Sequence, residues 1–268
     1  MQDVHKLRAA AQTDMPAHHQ GRLEAQGHRN DLEVFFVDLI KSVAFLEAEE
    51  EATPRLSASD DERASAMADR EAARLWRATR IATRIVLERA GGEAIRRLNF
   101  EIEAGGRPRL AGAPHFNVSH TGEAALIVVS KDMQVGVDLE RKERRILMSD
   151  ERRQRIISAA QRMGALQALS PACDTDVIVA WVRLEAAAKA LGSGIGRLLT
   201  QQGVVGGSRT ASAQGPGFDL EIRDLVVEGH FVAAVAAQRL PERIDVLSFP
   251  ADNLDGFIRG KSLPMSGT

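Results

Sequence analysis

Three short stretches of the sequence contain the side chains best suited to chemistry. The first is NVSHTG at 117–122, in which Ser119 is followed directly by His120. A Ser-His pair suggests a hydrolase nucleophile with its base, but neighbouring residues of a strand point to opposite faces. His120 is therefore badly placed to accept a proton from Ser119. Donation of hydrogen bonds to a phosphate suits the pair better.

The second stretch, VGVDLE at 135–140, contains two carboxylates. The strand period of two places Gly136, Asp138 and Glu140 on one face, with the carboxylate Cβ atoms about 6 to 7 Å apart. Like charges at this separation repel, so they need a cation, an arginine or screening by water. Mg²⁺, which proteins hold with one or two carboxylates and substrate phosphates, would supply the cation. The alternative is a strand end that surfaces into solvent.

The third stretch, WVRLEAAAK at 181–189, has the composition of a helix. Glu185 and Lys189 stand four residues apart and therefore share a helix face. One interpretation is an ordinary surface salt bridge, which contributes little to stability. The other is a third oxygen ligand for the metal, with an ammonium one turn away to neutralise phosphate charge.

The elements that position these stretches begin with a buried strand, predicted from VFFVDLI at 34–40. A capping-box pattern at Ser59 and Glu62 then predicts one long helix that stops at Gly91. A solvated basic face is the plain interpretation of the arginines on that helix, whose spacing puts several of them on neighbouring faces. They are Arg74, Arg77, Arg80, Arg84 and Arg89.

The middle of the chain predicts a meander of short strands, at 115–119, 124–130 and 134–140. A basic helix follows from about 149, and Asp174 or Asp176 is expected to cap the helix that contains WVRLEAAAK. The last part of the sequence alternates like two antiparallel strands that turn at Glu228 and Gly229.

Strands, helix and meander thus occur twice, which predicts the α+β class with two similar α/β lobes. The predicted divisions are an N-terminal extension at 1–30, a first lobe at 31–130, a second lobe at 131–248 and a C-terminal tail at 249–268. The extension is polar, lacks a stable apolar period and contains four of the seven histidines, so we expect disorder. Metal binding by those histidines is the alternative.

Composition narrows the classes of function. The chain has 268 residues, of which 44% are hydrophobic, so it can bury a normal core. A formal net charge of −2 gives no general attraction to nucleic acid or to an anionic membrane. The single cysteine, Cys173, excludes an internal disulfide framework, and no run of 18 apolar residues is present. We therefore expect a cytoplasmic protein without a signal peptide.

In this order the three stretches resemble the 4'-phosphopantetheinyl transferases of the large, monomeric, two-lobed class, which modify acyl and peptidyl carrier proteins. That family carries an Asn-x-Ser-His-(Ser/Thr)-Gly strand end, a Val/Ile-Gly-Val/Ile-Asp-x-Glu strand and a Trp-x-x-Lys-Glu-x-x-x-Lys helix. GGRP at 105–108 also looks like the family's Gly-Lys-Pro turn, and GHFVAAVA at 229–236 is similar to its closing strand. The resemblance covers about residues 34–248 and implies two lobes in a pseudo-twofold arrangement.

The resemblance also implies a reaction. The serine hydroxyl of an apo carrier protein would attack the β-phosphate of coenzyme A, and 3',5'-ADP would leave. Mg²⁺ would be held with the pyrophosphate by Asp138, Glu140 and Glu185. Contacts to the phosphates would come from Ser119, His120, Lys189 and Arg107, and Arg80 would bind the 3'-phosphate. Lys189 and Asp138 would then be catalytic together with Glu185, our candidate for the base that takes the serine proton.

The sequence departs from the family at two places. Leu184 stands where the family has a lysine beside the glutamate, and Arg183 points about 100° away along the helix. The loop before the long helix, SASDDERASA, has Arg63 as its one basic residue, whereas the family commonly has two. Both departures remove positive charge from the expected coenzyme site.

Carrier proteins of this family's pathways present an acidic helix beside the modified serine. By resemblance, the carrier would dock on a basic stretch that follows the metal strand, namely Arg141, Lys142, Arg144, Arg145, Arg152, Arg153 and Arg155. A solvated helix face is the alternative. For the whole protein, two alternatives to the transferase stay open: a catalytically silent protein that binds carriers, and a phosphate-ester hydrolase.

Overall fold

The computed structural model describes residues 32–163, 168–196, 220–250 and 254–258. Helices and several small sheets alternate along this part of the chain, and the predicted α+β class is confirmed. The predicted N-terminal extension lies outside the described residues. No helix in the described ranges is long and apolar enough to cross a membrane.

The strands are short and the longest helices lie beside the predicted site. The strands are β1 (Leu32–Asp38), β2 (Glu101–Ile102), β3 (Pro108–Arg109), β4 (His115–His120), β5 (Ala124–Ser130), β6 (Val135–Arg141), β7 (Glu221–Leu225), β8 (Phe231–Ala237) and β9 (Val246–Ser248). The helices are α1 (Leu39–Ala52), α2 (Ala58–Ser65), α3 (Arg70–Gly91), α4 (Asp150–Arg162), α5 (Asp174–Ala190) and α6 (Leu254–Ile258), with a 3₁₀ turn at Glu93–Ile95.

Two sheets carry the fold. The first sheet has the order β4-β5-β1-β9, the second has the order β6-β8-β7, and β2 and β3 form a separate hairpin. The strands of the predicted meander are all present, but β6 does not continue it: β6 pairs with β8. The physical reason is that both edges of β5 are already taken, because Ile127 lies opposite Phe35 of β1 and Val118 of β4.

Three apolar layers hold the sheets and helices together. A central core between the two sheets contains Val34, Leu126, Val137 and Val235. A second core joins the outer face of the first sheet to α1 and α3, and a third joins the second sheet to α4 and α5. The strands alternate between these cores because successive side chains point to opposite faces.

The end of the described chain returns to the first sheet. β9 pairs in parallel with β1. Phe249, Leu254 and Phe257 then pack in the core beneath α1 and α3. Residues of the predicted C-terminal tail therefore contribute to the core nearest the N-terminal strands.

Two helix starts differ from the prediction. The capping box is formed by Ser57 and Asp60, not by Ser59 and Glu62, and it begins the separate helix α2. The long helix α3 starts later, capped by Asp69, and ends at Gly91 as predicted. The predicted single helix was wrong because a second capping residue restarts the helix after a break at 66–69.

The helix that contains WVRLEAAAK is capped differently as well. Its N-cap residue is Cys173, which makes no side-chain capping bond. Asp174 instead accepts from the amide of Ile146, and Asp176 accepts from the amide of Ser170. Both carboxylates lie in the first turn, where the helix dipole favours negative charge. Their hydrogen bonds also connect the flanking loops to α5.

Helix α1 was not predicted. It begins directly where β1 ends, and Asp38 caps it by accepting from the amide of Lys41. Its apolar residues lack a strong helical period because the polar residues Ser42 and Glu50 are buried in it.

Candidate active site

The candidate site is built where α5 lies against β6. A Cβ atom at Gly136 would be 2.2 Å from the carbonyl oxygen of Ala186 and 2.4 Å from the amide nitrogen of Ala190. Only glycine therefore allows the helix to approach the strand this closely. The contact brings the helix face of Glu185 and Lys189 to the strand face that carries the carboxylates.

The predicted division of β6 into two faces is confirmed. Val135, Val137 and Leu139 pack in the core between the sheets. Asp138 lies on the opposite face, toward α5, and only 6% of its surface is exposed. Glu140 lies two residues further along the same face and is half-buried. A buried carboxylate needs hydrogen-bond partners or opposite charge.

Asp138 obtains both from other elements. Its Oδ1 accepts from Oγ of Ser119 on β4 at 2.7 Å and from Nζ of Lys189 on α5 at 2.7 Å. Its Oδ2 is buried and has no hydrogen-bond partner among the described residues. One oxygen of this carboxylate is thus fully engaged, and the other is left with an unused acceptor capacity.

Ser119 and Asn117 fasten the free edge of β6 to β4. Oδ1 of Asn117 accepts from the amide of Val137 at 3.1 Å, and Oγ of Ser119 accepts from the amide of Leu139 at 3.2 Å. The Ser119 hydroxyl, expected to donate to a phosphate, donates to Asp138 in the structure and is 7% exposed. The sequence missed the role of Asn117, although its place two residues before Ser119 puts both side chains on one strand face.

The charge of Asp138 affects the pKa of the other two carboxylates, Glu140 and Glu185. Burial raises the pKa of Glu185 above its ordinary value, and the charges of Asp138 and Glu140 raise it further, against the opposing effect of Lys189. Burial likewise raises the pKa of Glu140, with Asp138 adding to the shift and Arg144 opposing it. Arg144 also forms an ion pair with Glu140. Asp138 and Glu140 thus lie within electrostatic reach of Glu185, and Asp138 within reach of Glu140.

His120 lies at the end of β4, within electrostatic reach of two cations. His120 is exposed, but the protein around it displaces part of its water, which lowers its pKa. The charges of Lys189 and Arg80 lower it further, while a hydrogen bond with the backbone of Thr121 acts in the other direction. The neutral imidazole is thus favoured near pH 7, with one nitrogen as donor and the other as acceptor.

Arg80 faces the same region from α3. Its guanidinium lies 5.0 Å from the ring centre of Trp76 and 4.6 Å from that of Phe100, and its Nε is 3.2 Å from Oδ1 of Asp60. Arg84, one turn further, is buried and bonded to Asp60 and to the carbonyl of Leu98. The basic face of α3 is thus not simply solvated.

The other three arginines of the predicted basic face are paired with acids of neighbouring elements. Arg74 binds Glu47. Arg77 lies 3.4 Å from Asp61, and Arg89 lies 2.8 Å from Glu33. Arg63, the one basic residue of the preceding segment, places its guanidinium 5.4 Å from the ring centre of Trp76. Arg63 and Arg80 therefore share one aromatic ring.

Arg107 does not point toward the carboxylates. Its guanidinium donates to the carbonyl oxygens of Lys189 at 2.7 Å and Ala190 at 2.5 Å, which are the last carbonyls of α5. The structure therefore places Arg107 at the end of the helix that carries Lys189.

The cation that the resemblance expects beside Glu185 is absent here. Leu184 is completely buried in the core beneath α4 and α5. Arg183 turns away and binds Asp224 through Nε at 2.7 Å and Nη2 at 2.5 Å. Neither side chain adds positive charge at the carboxylates.

The carboxylates suit the magnesium that the resemblance implies in their chemistry, since Mg²⁺ prefers oxygen donors and often takes one or two carboxylates from the protein. The unpartnered Oδ2 of Asp138 is a donor of this kind. Within the described residues, however, no group of three His, Cys, Asp or Glu side chains is arranged to hold a metal ion. Lys189 supplies the positive charge on Asp138 in the structure.

The basic stretch after β6 divides into paired and unpaired cations. Arg141 pairs with Glu123, Arg144 with Glu140 and Arg155 with Glu151. Arg153 is part-buried and binds Asp174 and the carbonyls of Ile146 and Pro171, so its role is to hold α4 against α5. Three exposed cations have no ion pair among the described residues: Lys142, Arg145 and Arg152.

Comparison with known proteins adds no relative: no protein-family model matches the chain, and no curated protein matches its sequence.

Proposed function

We propose that the protein transfers the 4'-phosphopantetheine group of coenzyme A to a serine of an apo carrier protein, with Mg²⁺, and releases 3',5'-ADP. The observation that supports the proposal is the buried Asp138, whose Oδ1 accepts from Lys189 and whose Oδ2 has no partner among the described residues. Glu140 and Glu185 lie within electrostatic reach of it. Carboxylates and an ammonium within reach of one another would suit a doubly charged metal and a pyrophosphate once their side chains turned toward these ligands.

Asp138, Glu140 and Glu185 would hold the magnesium. The metal would offset the negative charge of the pyrophosphate and of the phosphoryl group during transfer. Arg144 would have to release Glu140, and Lys189 would move from Asp138 toward phosphate oxygens. The Lys189 ammonium is a mobile point charge on a flexible stem, which suits this exchange of partners.

Residues of the chain would then accept the proton of the carrier serine and donate a hydrogen bond to a phosphate oxygen. The oxygen of the carrier serine forms a bond to the β-phosphorus, the bridging oxygen of 3',5'-ADP leaves with its electron pair, and the serine proton passes to the Glu185 carboxylate. Glu185 would take this proton directly or through a metal-bound water. His120, favoured as the neutral imidazole, would donate one hydrogen bond to a phosphate oxygen.

Arg80 is the residue that supports a coenzyme anchor on the first sheet's side of the site. Its charge acts on His120, and two aromatic rings hold its guanidinium in place. The 3'-phosphate would bind Arg80 in competition with Asp60, which lies 3.2 Å away. An arginine that is already held in position loses little freedom when it binds a phosphate.

The two packed sheets, each covered by a pair of helices on its outer face, support the two-lobed fold of the transferases. In that arrangement the site lies where β4 of one lobe meets β6 of the other, on which α5 packs. Because one chain would supply both lobes, we propose a monomer.

Carrier docking is proposed on the three unpaired cations after β6. They are Lys142, Arg145 and Arg152. Leu147 lies among them in the sequence, and 87% of its surface is exposed. A carrier with an acidic helix would find charge complementarity there and an apolar contact at the centre.

The experiment that tests the reaction measures 3',5'-ADP in mixtures of coenzyme A, an apo carrier protein and the enzyme. The transferase predicts release only when Mg²⁺ and the carrier are both present. Release without a carrier would favour the hydrolase. The buried Leu184 favours a second candidate, a silent protein that binds carriers, which predicts carrier binding and no release under any condition.

A further inference from the structure

The hairpin of β2 and β3 is docked on the C-terminal end of α5. Residues 103–107 form the turn of this hairpin, closed by bonds from the Glu103 amide to the Arg107 carbonyl and from the Gly106 amide to the Glu103 carbonyl. A Cβ atom at Gly105 would lie 1.8 Å from the carbonyl oxygen of Gly192. The two backbones therefore touch directly, and no side chain fits between them.

Arg107 completes this docking. The last carbonyl groups of a helix lack partners within the helix and carry the negative end of its dipole. The Arg107 guanidinium donates to two carbonyls of this last turn, those of Lys189 and Ala190, and its side chain is 9% exposed. The Lys189 carbonyl also accepts from the amide of Gly192 at 3.1 Å. Gly192 turns away with φ of +63°, and a Cβ there would be 3.2 Å from the guanidinium. The carbonyls of the last turn and the glycine at position 192 thus leave room for Arg107 to cap the C-terminal end of α5.

Lys189 is therefore held through its backbone carbonyl and through its side-chain ammonium. Its carbonyl oxygen accepts from Arg107, and its ammonium donates to Asp138. The polar groups that Arg107 contacts are backbone carbonyls and, more distantly, Glu103 at 3.8 Å. Both bonds to the carbonyls come from Nη2, and with 9% of the side chain exposed little of the guanidinium is open to a phosphate.

We infer that Arg107 is a positioning residue, which fixes the last turn of α5 and thereby the ammonium of Lys189, and that it does not contact the coenzyme. Gly105 and Gly192 contribute to the same contact, because their lack of a side chain lets the hairpin turn reach the end of α5. The inference deepens the proposed function and rests on it only where catalysis is the readout.

Two substitutions test the inference by different routes. Arg107→Met removes the donors and keeps most of the side-chain volume. Gly105→Ala leaves every charge in place but forces the turn away from Gly192. Arg109→Met, an exposed arginine of the same hairpin that pairs with Glu101, is the matched control for the first. Gly194→Ala, where a Cβ would meet open space, is the control for the second.

The primary readouts do not need the reaction. Hydrogen exchange of the amides at 189–193 should speed up at least tenfold in Arg107→Met and in Gly105→Ala, and should be unchanged in both controls. Labelling of the Lys189 amine by an acylating reagent, followed by peptide mass spectrometry, should become several-fold faster in the same two variants. Unchanged exchange and labelling in Arg107→Met would overturn the inference.

The kinetic readout separates positioning from coenzyme contact. If Arg107 positions Lys189, both variants lower kcat about tenfold and leave the KM for coenzyme A within twofold, and Arg107→Met has no further effect once Lys189→Ala is present. A rise in KM for coenzyme A confined to Arg107→Met, with Gly105→Ala normal, would establish a phosphate contact and overturn the inference. An inactive wild-type protein would refute the proposed function, while exchange and labelling would still decide the role of Arg107.

Discussion

The ammonium of Lys189 lies 2.7 Å from Oδ1 of Asp138, although the two residues are 51 positions apart in the sequence. Lys189 thus pairs with the carboxylate on the strand and not with Glu185, which precedes it by one helical turn. The cation of α5 and the buried acid of β6 form one unit, and the two half-buried glutamates beside it carry raised pKa values.

The close approach of α5 and β6 predicts the effect of Gly136→Ala. The new methyl group would meet the backbone of Ala186 and Ala190, which cannot move without shifting the helix. We expect a loss of about 1–3 kcal/mol in the free energy of unfolding, as for other overpacked cores. Denaturant unfolding measures it. Gly194→Ala, with open space around the new atom, should unfold like the wild type, and an unchanged stability in Gly136→Ala would contradict the packing.

The crowding of carboxylates predicts that Glu185→Gln stabilises the metal-free protein at neutral pH. Because the folded-state pKa of Glu185 is raised, the folded protein holds this proton more tightly than the unfolded chain. Stability is therefore lost as pH rises from the ordinary glutamate pKa, about 4.3, through the raised value. The variant should melt higher than the wild type at pH 7 and equally near pH 4, in thermal scans without metal.

The same variant should lose the response to Mg²⁺. Added magnesium is expected to raise the melting temperature of the wild type, because a ligand that binds only the folded state stabilises it. The matched control is Glu143→Gln, an exposed glutamate on the loop after β6. A variant that melts lower than the wild type at pH 7, or that still responds to magnesium, would contradict the proposed role of Glu185.

The placement of Arg80 predicts discrimination between coenzyme A and its analogue without the 3'-phosphate. Arg80→Gln should raise the KM for coenzyme A about tenfold or more and leave the KM for dephospho-coenzyme A nearly unchanged, since a lost charge-assisted hydrogen bond costs about 1.5–3 kcal/mol. Arg77→Gln, on the same helix and paired with Asp61, serves as the control. Equal losses for both coenzymes would mean that Arg80 does not contact this phosphate.

The unpaired cations after β6 predict the carrier-docking surface. Reversing the charges of Arg145 and Arg152 should raise the KM for an acidic carrier protein at least tenfold, leave kcat nearly unchanged and flatten the dependence on salt. Arg153 is unsuitable for this test because it holds α4 to α5. Arg243→Glu, which is 83% exposed, is the control. A KM that stays within twofold in the reversed variant would place the docking surface elsewhere.

The local geometry of the site could be predicted from the sequence because it follows from periodicity. The period of two placed Asp138 and Glu140 on one face of β6, and the spacing of four placed Glu185 and Lys189 on one face of α5. Both statements concern residues within one element. The structure confirms the strand faces and the helix.

Contacts between distant elements could not be predicted in the same way. The pairing of Lys189 with Asp138 depends on the approach that Gly136 permits, and a glycine in a strand does not indicate which backbone will lie against it. Arg107 resembled a phosphate ligand because its neighbours match a turn motif, whereas its partners are carbonyl oxygens more than 80 positions away. Helix α1 was missed because buried polar residues weaken its apolar period.

Intact mass shows whether the protein modifies a carrier. A panel of apo carrier proteins is weighed after incubation with coenzyme A, Mg²⁺ and either the wild type or Asp138→Asn. A transferase should add the mass of one phosphopantetheine to at least one carrier. The gain should be absent with Asp138→Asn, which keeps the shape of the side chain and removes its charge. No gain on any carrier, or an equal gain with Asp138→Asn, would contradict the proposed function.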